Sequence, residues 1–467
     1  MKKILYLTLL LFGVTVCRNV KEEQPLLEAE PNEHLSGGSF LTTNDFSENA
    51  FGQQAKGLNS DQNTDFSVGN FLFRSNWVTA PASVQTLDGL GVMFNATACG
   101  SCHFKDGRAR PPISPTEPLN GLLFRLSRQG AGTHGEPLDE PNYGGQFQEK
   151  AILGVNAEGK VQISYQEIAG QYPDGTPYSL RKPTYQFTDL NYGAFHPQVE
   201  FSPRIAPQMM GLGLLENIPE STLTALADEA DSNQDGISGK INYVWDTQHQ
   251  RVAVGKFGWK ANVPSLLVQT AGAFNGDMGI TTSLFPQEGL TPAQVALYGN
   301  LPTGGSPEIS DENLEKIVFY QQMLSVPARR DYQDQEVLQG KMLFQQAKCN
   351  SCHLPTLTTG TSSPFSQLNN QTIRPYTDLL LHDLGEDLAD NRPDFQANGR
   401  EWRTPPLWGL GLIRTVNKHT FLLHDGRARN AEEAILWHAG EAQASKNHFK
   451  NLSKTERQAL LRFLESL

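Results

Sequence analysis

The sequence predicts a mainly α-helical protein of two domains, the first of which contains an insertion rich in β-strands and loops. Three observations lead to this prediction. Apolar residues recur at helical spacing in the last third of the chain, as at Leu314 and Ile317. Short apolar runs alternate with Gly and Pro across residues 120–200. The pattern C-x-x-C-H occurs once in each half of the chain, at Cys99–His103 and Cys349–His353.

Each of these two pentapeptides carries the attachment signature of a c-type haem. The two thiols of the pattern form thioether bonds to the vinyl groups of one haem, and the histidine that follows binds the iron as its proximal ligand. The sequence therefore predicts two covalently bound haems, with the attachment residues Cys99, Cys102, Cys349 and Cys352 and the iron ligands His103 and His353.

Zinc ribbons and thioredoxin-type redox sites also use C-x-x-C pairs. Zinc ribbons separate their two pairs by roughly 15–20 residues, whereas Cys102 and Cys349 lie in different halves of this chain. A thioredoxin-type pair lies in a βαβ pattern, and neither pentapeptide is surrounded by one. Both alternatives are therefore disfavoured.

The composition describes a globular protein and disfavours nucleic acid as a partner. The chain has 467 residues, of which 38% are hydrophobic, with 42 Gly and 28 Pro. This suits two or three domains joined by long irregular connections. The formal net charge is −12, opposite in sign to the surface that nucleic acid requires.

Residues 1–17 are predicted to be a signal peptide, because a positively charged start precedes an apolar run too short to span a bilayer. Cys17 ends this run as in a lipoprotein cleavage site; since Val16 replaces the usual small residue, simple secretion is the alternative. In both cases we expect an exported protein of the periplasm or cell envelope, which meets the membrane only through a lipid on Cys17. Residues 18–65 are polar and are predicted to form a tether.

The first haem domain is predicted to span residues 66–330 and to contain the β-rich insertion. The string Asp-Gly-Arg-Ala-Arg follows the first haem site and returns near residue 425. Because guanidinium groups pair well with carboxylates, arginines in these strings are candidates for binding haem propionates, and a turn with solvated charges is the alternative. The arginines concerned are Arg108 and Arg427, together with Arg110 and Arg429.

An acidic stretch of the first domain resembles the start of a calcium-binding loop. Asp231, Asn233 and Asp235 place oxygen atoms at positions 1, 3 and 5, and Gly236 follows at position 6. The twelfth position holds Asn242 instead of a bidentate glutamate. The sequence therefore predicts a calcium site that lacks one strong ligand, and an Asx-rich turn without calcium is the alternative.

The second domain is predicted to span residues 331–467. Apolar residues fall at helical spacing over Val337–Phe344, just before the second haem site, and Ser453–Glu456 forms a capping box for a last amphipathic helix. This arrangement resembles a small cytochrome c. The resemblance implies that the first and last helices of the domain cross at a small residue, here Gly340.

Five longer strings carry a wider resemblance: Ser202–Pro207, Gly211–Glu216, Gly258–Ala261, Trp402–Gly409 and Phe421–Arg427. Together with the two haem sites, they resemble the bacterial dihaem cytochrome c peroxidase and MauG superfamily. The closest resemblance within it is to the dihaem oxidoreductase branch, often labelled a thiol oxidoreductase. The similarity covers residues 66–467. The thiol label is the weaker part, because the haems use both C-x-x-C pairs.

The resemblance implies one electron-transfer haem with two protein ligands and one haem whose iron is open to peroxide, with a tryptophan between them. Trp259 is the match for this tryptophan, and a core residue is the alternative. Glu216 ends an apolar helical run and is the candidate acid–base residue of a reactive first haem; a solvated helix end is the alternative. The acidic pair expected in peroxidases is absent after Arg108.

His438 is the predicted distal ligand of the second iron. Asn430 and Glu433 are placed to cap a helix in which Ala434 and Ile435 share the face of His438, so that this imidazole should be buried. Its spacing from His424 resembles that at which the dihaem peroxidases place an axial methionine. A core histidine bonded to a carbonyl group is the alternative. Further candidate ligands are His382 and His196.

The leading interpretation is an exported dihaem oxidoreductase with peroxidase-like chemistry, in which the second haem passes electrons to a reactive first haem. We expect a small redox protein, a cytochrome or a cupredoxin, as electron donor, and peroxide or another small oxidant as substrate. An electron-transfer cytochrome with both irons closed is one alternative. A haem-bearing accessory protein of a surface uptake system is the other, and only the lipid anchor at Cys17 favours it.

Overall fold

The structure is a computed structural model that describes residues 27–114 and 117–467. The predicted signal peptide and Cys17 lie outside the described residues. Of the described residues, 30% are helical and 19% are in strands. The prediction of a mainly α-helical protein is therefore wrong, and two cytochrome c-like domains are not shown. The helical periodicity identifies short helices, and frequent Gly and Pro residues leave room between them for hairpins and small sheets.

The elements of the described residues are short, apart from a few helices and one long hairpin. The α-helices are Ser60–Arg74, Cys99–Cys102, Leu212–Glu216, Glu220–Leu226, Leu266–Met278, Pro292–Tyr298, Asp311–Gln322, Gln335–Gln346, Ile413–Asn417, Ala431–Trp437, Gln443–Asn451 and Lys454–Ser466. The strands are Thr42–Thr43, Met93–Phe94, Leu122–Ala131, Pro137–Leu138, Lys150–Ala151, Lys160–Gln171, Pro177–Thr188, Val199–Ile205, Tyr243–Asp246, Arg251–Val254, Val326–Pro327, Leu357–Thr358, Thr372–Ile373, Leu381–Asp383 and Glu401–Arg403.

The longest strands lie between the first haem motif and the helix that begins at Leu212. Lys160–Gln171 and Pro177–Thr188 form an antiparallel hairpin. Leu122–Ala131 pairs antiparallel with Val199–Ile205, so that the two ends of this β-rich segment meet. Leu122, Leu123 and Arg125, near the start of this strand, lie beside the first haem motif.

The described part of the predicted tether packs onto the rest of the protein. Thr42–Thr43 pairs in parallel with Val326–Pro327, and the side chains of Leu41 and Phe51 are fully buried in the largest apolar core. Burial of such side chains stabilises the folded chain by roughly 1.5–3 kcal/mol each. The division into a tether and two haem domains stays a sequence prediction.

The helices Gln335–Gln346 and Lys454–Ser466 pack against each other. In sequence, one precedes the second haem motif and the other follows it. At their contact, a Cβ atom added to Gly340 would lie 2.0 Å from the carbonyl oxygen of Ala459, so only glycine allows this approach. Within the described ranges, no helix is long and apolar enough to cross a membrane.

Candidate haem sites

Two cavities adjoin the two C-x-x-C-H segments. The first cavity, of about 200 Å³, is lined by both cysteines and the histidine of Cys99–His103. The second cavity, of about 180 Å³, is lined by the same three residue types of Cys349–His353. In each segment the backbone N–H of the histidine donates to the backbone carbonyl group of the first cysteine, at 3.0 Å in the first segment and 2.9 Å in the second. This single helical turn brings two thiols and one imidazole to the same cavity wall.

The two histidines that the sequence predicts as proximal ligands are held in the same way. His103 Nδ1 lies 2.7 Å from the carbonyl oxygen of Pro207, and His353 Nδ1 lies 3.0 Å from that of Tyr376. A backbone carbonyl at Nδ1 fixes the tautomer and leaves Nε2 as the ligand atom. Burial lowers the pKa of each imidazole to about 4, so both are neutral near pH 7, as iron ligation requires.

The thiols are suited to thioether bonds. Burial raises the pKa of Cys99, Cys102 and Cys349 to about 12 and also raises that of Cys352. The four sulfur atoms therefore favour the neutral thiol form, and they line the two cavities.

The second cavity contains another histidine with a fixed tautomer. The Asn430 side chain accepts a hydrogen bond from the Glu433 N–H at 2.9 Å and caps the helix Ala431–Trp437. His438 directly follows this helix, and its Nδ1 lies 2.6 Å from the carbonyl oxygen of Ala434. Nε2 is therefore the free ring nitrogen of His438 in the second cavity. The helix ends one residue earlier than the sequence suggested, and His438 is half-buried in the wall of the second cavity. Its role as an iron ligand stays a prediction.

His382 also lines the second cavity, but both of its ring nitrogens have partners. Its Nε2 lies 2.8 Å from an Asp378 carboxylate oxygen, and its Nδ1 lies 2.7 Å from one of Glu441. Burial lowers the pKa of His382, but the hydrogen bonds with Asp378, Cys352 and Glu441 outweigh burial and raise it well above its usual value. An imidazole that is charged and hydrogen-bonded through both ring nitrogens is a poor candidate for an iron ligand.

The first cavity differs from the second in its polar groups. Besides His103, the described residues that line it contain no histidine. Its wall instead contains amides, a hydroxyl group, a carboxyl group and thioethers, from Asn262, Gln269, Thr270, Gln321, Asp277, Met209 and Met278. Burial raises the pKa of Asp277, and Gln146 donates a hydrogen bond to it at 2.8 Å.

The two cavities share one wall. The residues that line both are Arg108, Gln208, Trp259, Arg403, Pro405 and Pro406. The Trp259 indole N–H donates to the Ile205 carbonyl group at 2.8 Å, which fixes the ring. The Arg108 guanidinium lies 5.2 Å from the Trp259 ring centroid. The tryptophan predicted to lie between the haems is thus located in the wall between the two cavities.

Two buried arginines of this shared wall lack a carboxylate partner. Within the described residues, neither Arg108 nor Arg403 has an ion pair, and the Nε atom of Arg108 has no hydrogen-bond partner. Burial lowers the pKa of both to about 10, partly offset by Asp425 and Asp378 at longer range. Arg108 donates to the carbonyl group of Leu423, and Arg403 donates to that of Gly258. Because a buried cation without a counter-charge is costly, both positions fit the propionates of bound haems.

A comparison with protein families identifies the chain. Residues 32–467 match the family described as "Di-haem oxidoreductase, putative peroxidase". The chain belongs to the di-haem oxidoreductase family. This confirms the resemblance found in the sequence and extends it towards the N-terminus. A search of curated proteins found no match, and a search of solved structures also found none.

The other arginines assigned to the haems of this di-haem oxidoreductase have protein partners. Arg427 is buried, pairs with Asp425 at 2.8 Å and lies outside the second cavity wall. Arg110 pairs with Glu117 at 2.5 Å, and Arg429 with Glu433 at 2.6 Å. The propionate role of Arg427 stays a prediction. The sequence missed Arg403, although it is the charged residue of the family string Trp402–Gly409.

Glu216 lies outside the wall of the first cavity. One carboxylate oxygen accepts a hydrogen bond from the Leu266 N–H at 2.8 Å, and the other accepts one from Gln322 Nε2 at 2.7 Å. These contacts tie the start of the helix Leu266–Met278 to its neighbours. The catalytic role assigned to Glu216 stays a prediction, and Asp277 is the carboxyl group that the structure brings to the cavity.

The predicted calcium loop is exposed, and its side chains bond to its own backbone. Asp231 accepts hydrogen bonds from the Asp235 and Gly236 N–H groups at 3.0 and 3.2 Å, and Asn233 accepts one from the Asp235 N–H at 2.9 Å. Asn242, the twelfth position, is buried, and its amide donates to the carbonyl groups of Lys260 and Asp394. Asn242 is therefore engaged away from the loop, and calcium stays a prediction.

Proposed function

We propose that this di-haem oxidoreductase is an exported c-type cytochrome that reduces peroxide at the first haem with electrons received through the second. The observation that carries the proposal is the asymmetry between the two cavities. His353 and His438 offer two ligand nitrogens in the second cavity, whereas His103 is the histidine of the first.

Covalent attachment is part of the proposal. In each cavity, two protonated thiols and a neutral imidazole come from one helical turn, which is the donor set of a c-type haem. A bound haem supplies reversible one-electron redox chemistry at each site. Covalent haem is attached outside the cytoplasmic membrane, which supports export and a small cytochrome or cupredoxin as donor.

The chain's own residues have distinct roles in this proposal. His353 and His438 would together hold the iron of the second haem, whereas His103 would be the one histidine to hold the iron of the first, so that a small oxidant would bind in the first cavity. The first cavity supplies hydrogen-bonding groups at Gln269 and Thr270. Asp277, whose raised pKa favours the protonated acid, is the candidate proton donor.

The shared wall supports electron transfer between the sites. Trp259 is held by its bond to Ile205 in the wall that both cavities contact. Arg108 and Arg403 supply positive charge to the same wall, where propionates of both haems would pair with them. The presence of two histidines in the second cavity and one in the first supports the proposed direction, from the second haem to the first.

Stopped-flow mixing of the fully reduced protein with one equivalent of hydrogen peroxide tests the proposal. Reduction of H₂O₂ to two waters consumes two electrons and two protons, and each ferrous haem supplies one electron. We therefore expect both haems to become ferric, and carbon monoxide added beforehand should block oxidation of both. If both haems stay ferrous, or if carbon monoxide has no effect, the proposal is contradicted.

One observation favours a second function, that of an electron carrier with both irons closed. The thioethers of Met209 and Met278 line the first cavity, and thioether is a common axial ligand of electron-transfer haems. If one of them binds the first iron in both oxidation states, carbon monoxide will not bind to the reduced protein.

A further inference from the structure

A third cavity, of about 390 Å³, lies beside the first cavity. We name this cavity, which Arg125, Asp139, Gln146, Gln148, Glu158 and Glu288 help to line, the side chamber. Arg125 lines both the side chamber and the first cavity. Gln146 of the side chamber donates to Asp277 of the first cavity at 2.8 Å. The side chamber therefore borders the first haem site.

The wall of the side chamber offers hydrogen-bond acceptors that lack a donor. The Oε1 atoms of Gln146 and Gln148 are buried and have no partner, and the Gln146 residue is only 6% exposed. Glu288 accepts a bond from the Val92 N–H at 3.3 Å through one oxygen only. The carboxylate of Asp139 has no hydrogen-bond partner within the described residues. The buried amide oxygens of Gln146 and Gln148 are costly when they are left unpaired.

The titratable groups of the wall also favour a positive ligand. Burial raises the pKa of Glu158 to about 8 and of Glu288 to about 7, which favours the uncharged acids in the chamber without a ligand; a bound cation would lower both pKa values and favour the charged carboxylates. The fourth carboxylate, Glu140, is already satisfied by three backbone N–H groups. Arg125 is the cation of the wall and has no ion pair within the described residues; it also faces the first cavity, where a haem propionate would neutralise it.

We propose that the side chamber binds a small organic cation of the alkylammonium class next to the first haem. An ammonium group offers three N–H donors and one positive charge. The donors suit the unpaired amide oxygens of Gln146 and Gln148, and the charge suits the carboxylates of Asp139 and Glu288. An anionic ligand would be repelled by these carboxylates and could not donate hydrogen bonds to the amide oxygens. That this ligand is a reducing substrate of the first haem rests on the proposed function, but its binding does not.

Isothermal titration calorimetry of the holoprotein tests the binding step with three probes of similar size. The probes are n-butylammonium, neutral n-butanol and anionic butyrate. We expect saturable binding of one n-butylammonium per chain, with n-butanol and butyrate binding at least tenfold more weakly. Absence of saturable n-butylammonium binding, or equal binding of butyrate, would overturn the proposal.

Two substitutions locate the binding site. Asp139→Asn and Glu288→Gln each replace a carboxyl group, which can become a carboxylate beside a bound cation, by a neutral amide of similar shape, and together they should weaken n-butylammonium binding about tenfold or more. Asp139 is exposed, so its single variant should fold normally. The matched controls are Asp189→Asn and Glu315→Gln, which change exposed carboxylates elsewhere and should bind as the wild type does. Unchanged binding in the double variant would overturn the proposal.

Carbon monoxide binding to the reduced protein separates this proposal from the proposed function. If carbon monoxide binds no haem while n-butylammonium still binds in a manner that depends on Asp139 and Glu288, the side chamber proposal stands and the peroxidase proposal fails. If carbon monoxide binds and n-butylammonium does not, the reverse holds.

Discussion

The two haem cavities of this protein share their proximal design and differ on the other side. His103 and His353 both follow a turn with two cysteines and both place Nδ1 on a backbone carbonyl group. The other side chains that line the two cavities differ. His438 adds a second imidazole to the second cavity, whereas amides, a hydroxyl group and Asp277 line the first. The attachment motif therefore does not decide what a haem does, and the distant residues of each cavity do.

Removal of either cysteine pair is expected to have the largest effect on this comparison. Cys99→Ala/Cys102→Ala and Cys349→Ala/Cys352→Ala should each lose one covalent haem, because no thioether bond can form. Mass spectrometry of the denatured wild type should show two haem additions, and each double variant should show one. Cys17→Ala should keep both haems. A double variant that keeps both haems after denaturation would contradict the attachment sites.

Substitution of His438 by methionine should make the second haem electronically different while leaving the first unchanged. A His/Met iron has a higher potential than a His/His iron, so the second midpoint potential should rise by about 0.1 V, a fraction of the range of about 0.8 V that axial ligands span. Spectroelectrochemistry and the near-infrared ligand band report the change.

His249→Met is the matched control, because His249 pairs with Asp246 at 2.8 Å and its side chain is 55% exposed. This control should leave both potentials unchanged. If His438→Met also leaves the potential and the near-infrared band unchanged, His438 does not bind the iron.

The shared wall predicts a smaller, kinetic effect. Trp259→Phe removes the indole between the cavities and its bond to Ile205, and it should slow electron transfer between the haems several-fold without changing the spectrum of either one. Flash photolysis of the half-reduced carbon monoxide complex measures this rate. Trp245→Phe is the control, because Trp245 lines neither cavity. Its ring stacks on that of His134, with 3.7 Å between the two ring centroids. Equal rates in the two variants would remove Trp259 from the path.

Glu216→Gln should have the smallest effect on the haems. The substitution weakens the acceptor for the Leu266 N–H and for Gln322, so the free energy of unfolding should fall by about 1–2 kcal/mol. Peroxide turnover should change little, because Glu216 lies outside the first cavity wall. Chemical denaturation and steady-state assays measure the two quantities. A strong loss of turnover at unchanged stability would instead support the catalytic role predicted from the sequence.

Local motifs predicted the parts of the site that are themselves local. The two pentapeptides and the helix cap before His438 lie within a few residues of what they position, and the structure places these residues in the two cavities. The shared wall is different: Arg403 donates to the carbonyl group of Gly258, which is 145 residues away in sequence. Asp277 likewise reaches the first cavity from the end of a helix whose sequence carries no motif. Such contacts arise from packing, which residue patterns do not encode.

The helical content was overestimated for a related reason. Apolar periodicity correctly indicated Asp311–Gln322 and Lys454–Ser466, but the segments between such helices pair into hairpins and two-stranded sheets. Extended segments such as Leu381–Asp383 and Glu401–Arg403 meet across a long loop, and this pairing depends on contacts that are distant in sequence. The sheet they form carries His382 and Arg403 into the walls of the cavities.

Carbon monoxide titration of the fully reduced protein, followed by visible and resonance Raman spectroscopy, tests the asymmetry of the two cavities most directly. The structure leads us to expect one carbon monoxide per chain, bound at the first haem. The second haem should keep a six-coordinate, low-spin spectrum if His353 and His438 both bind its iron, as proposed. Binding at both haems, at neither haem, or at the second haem alone would contradict this account.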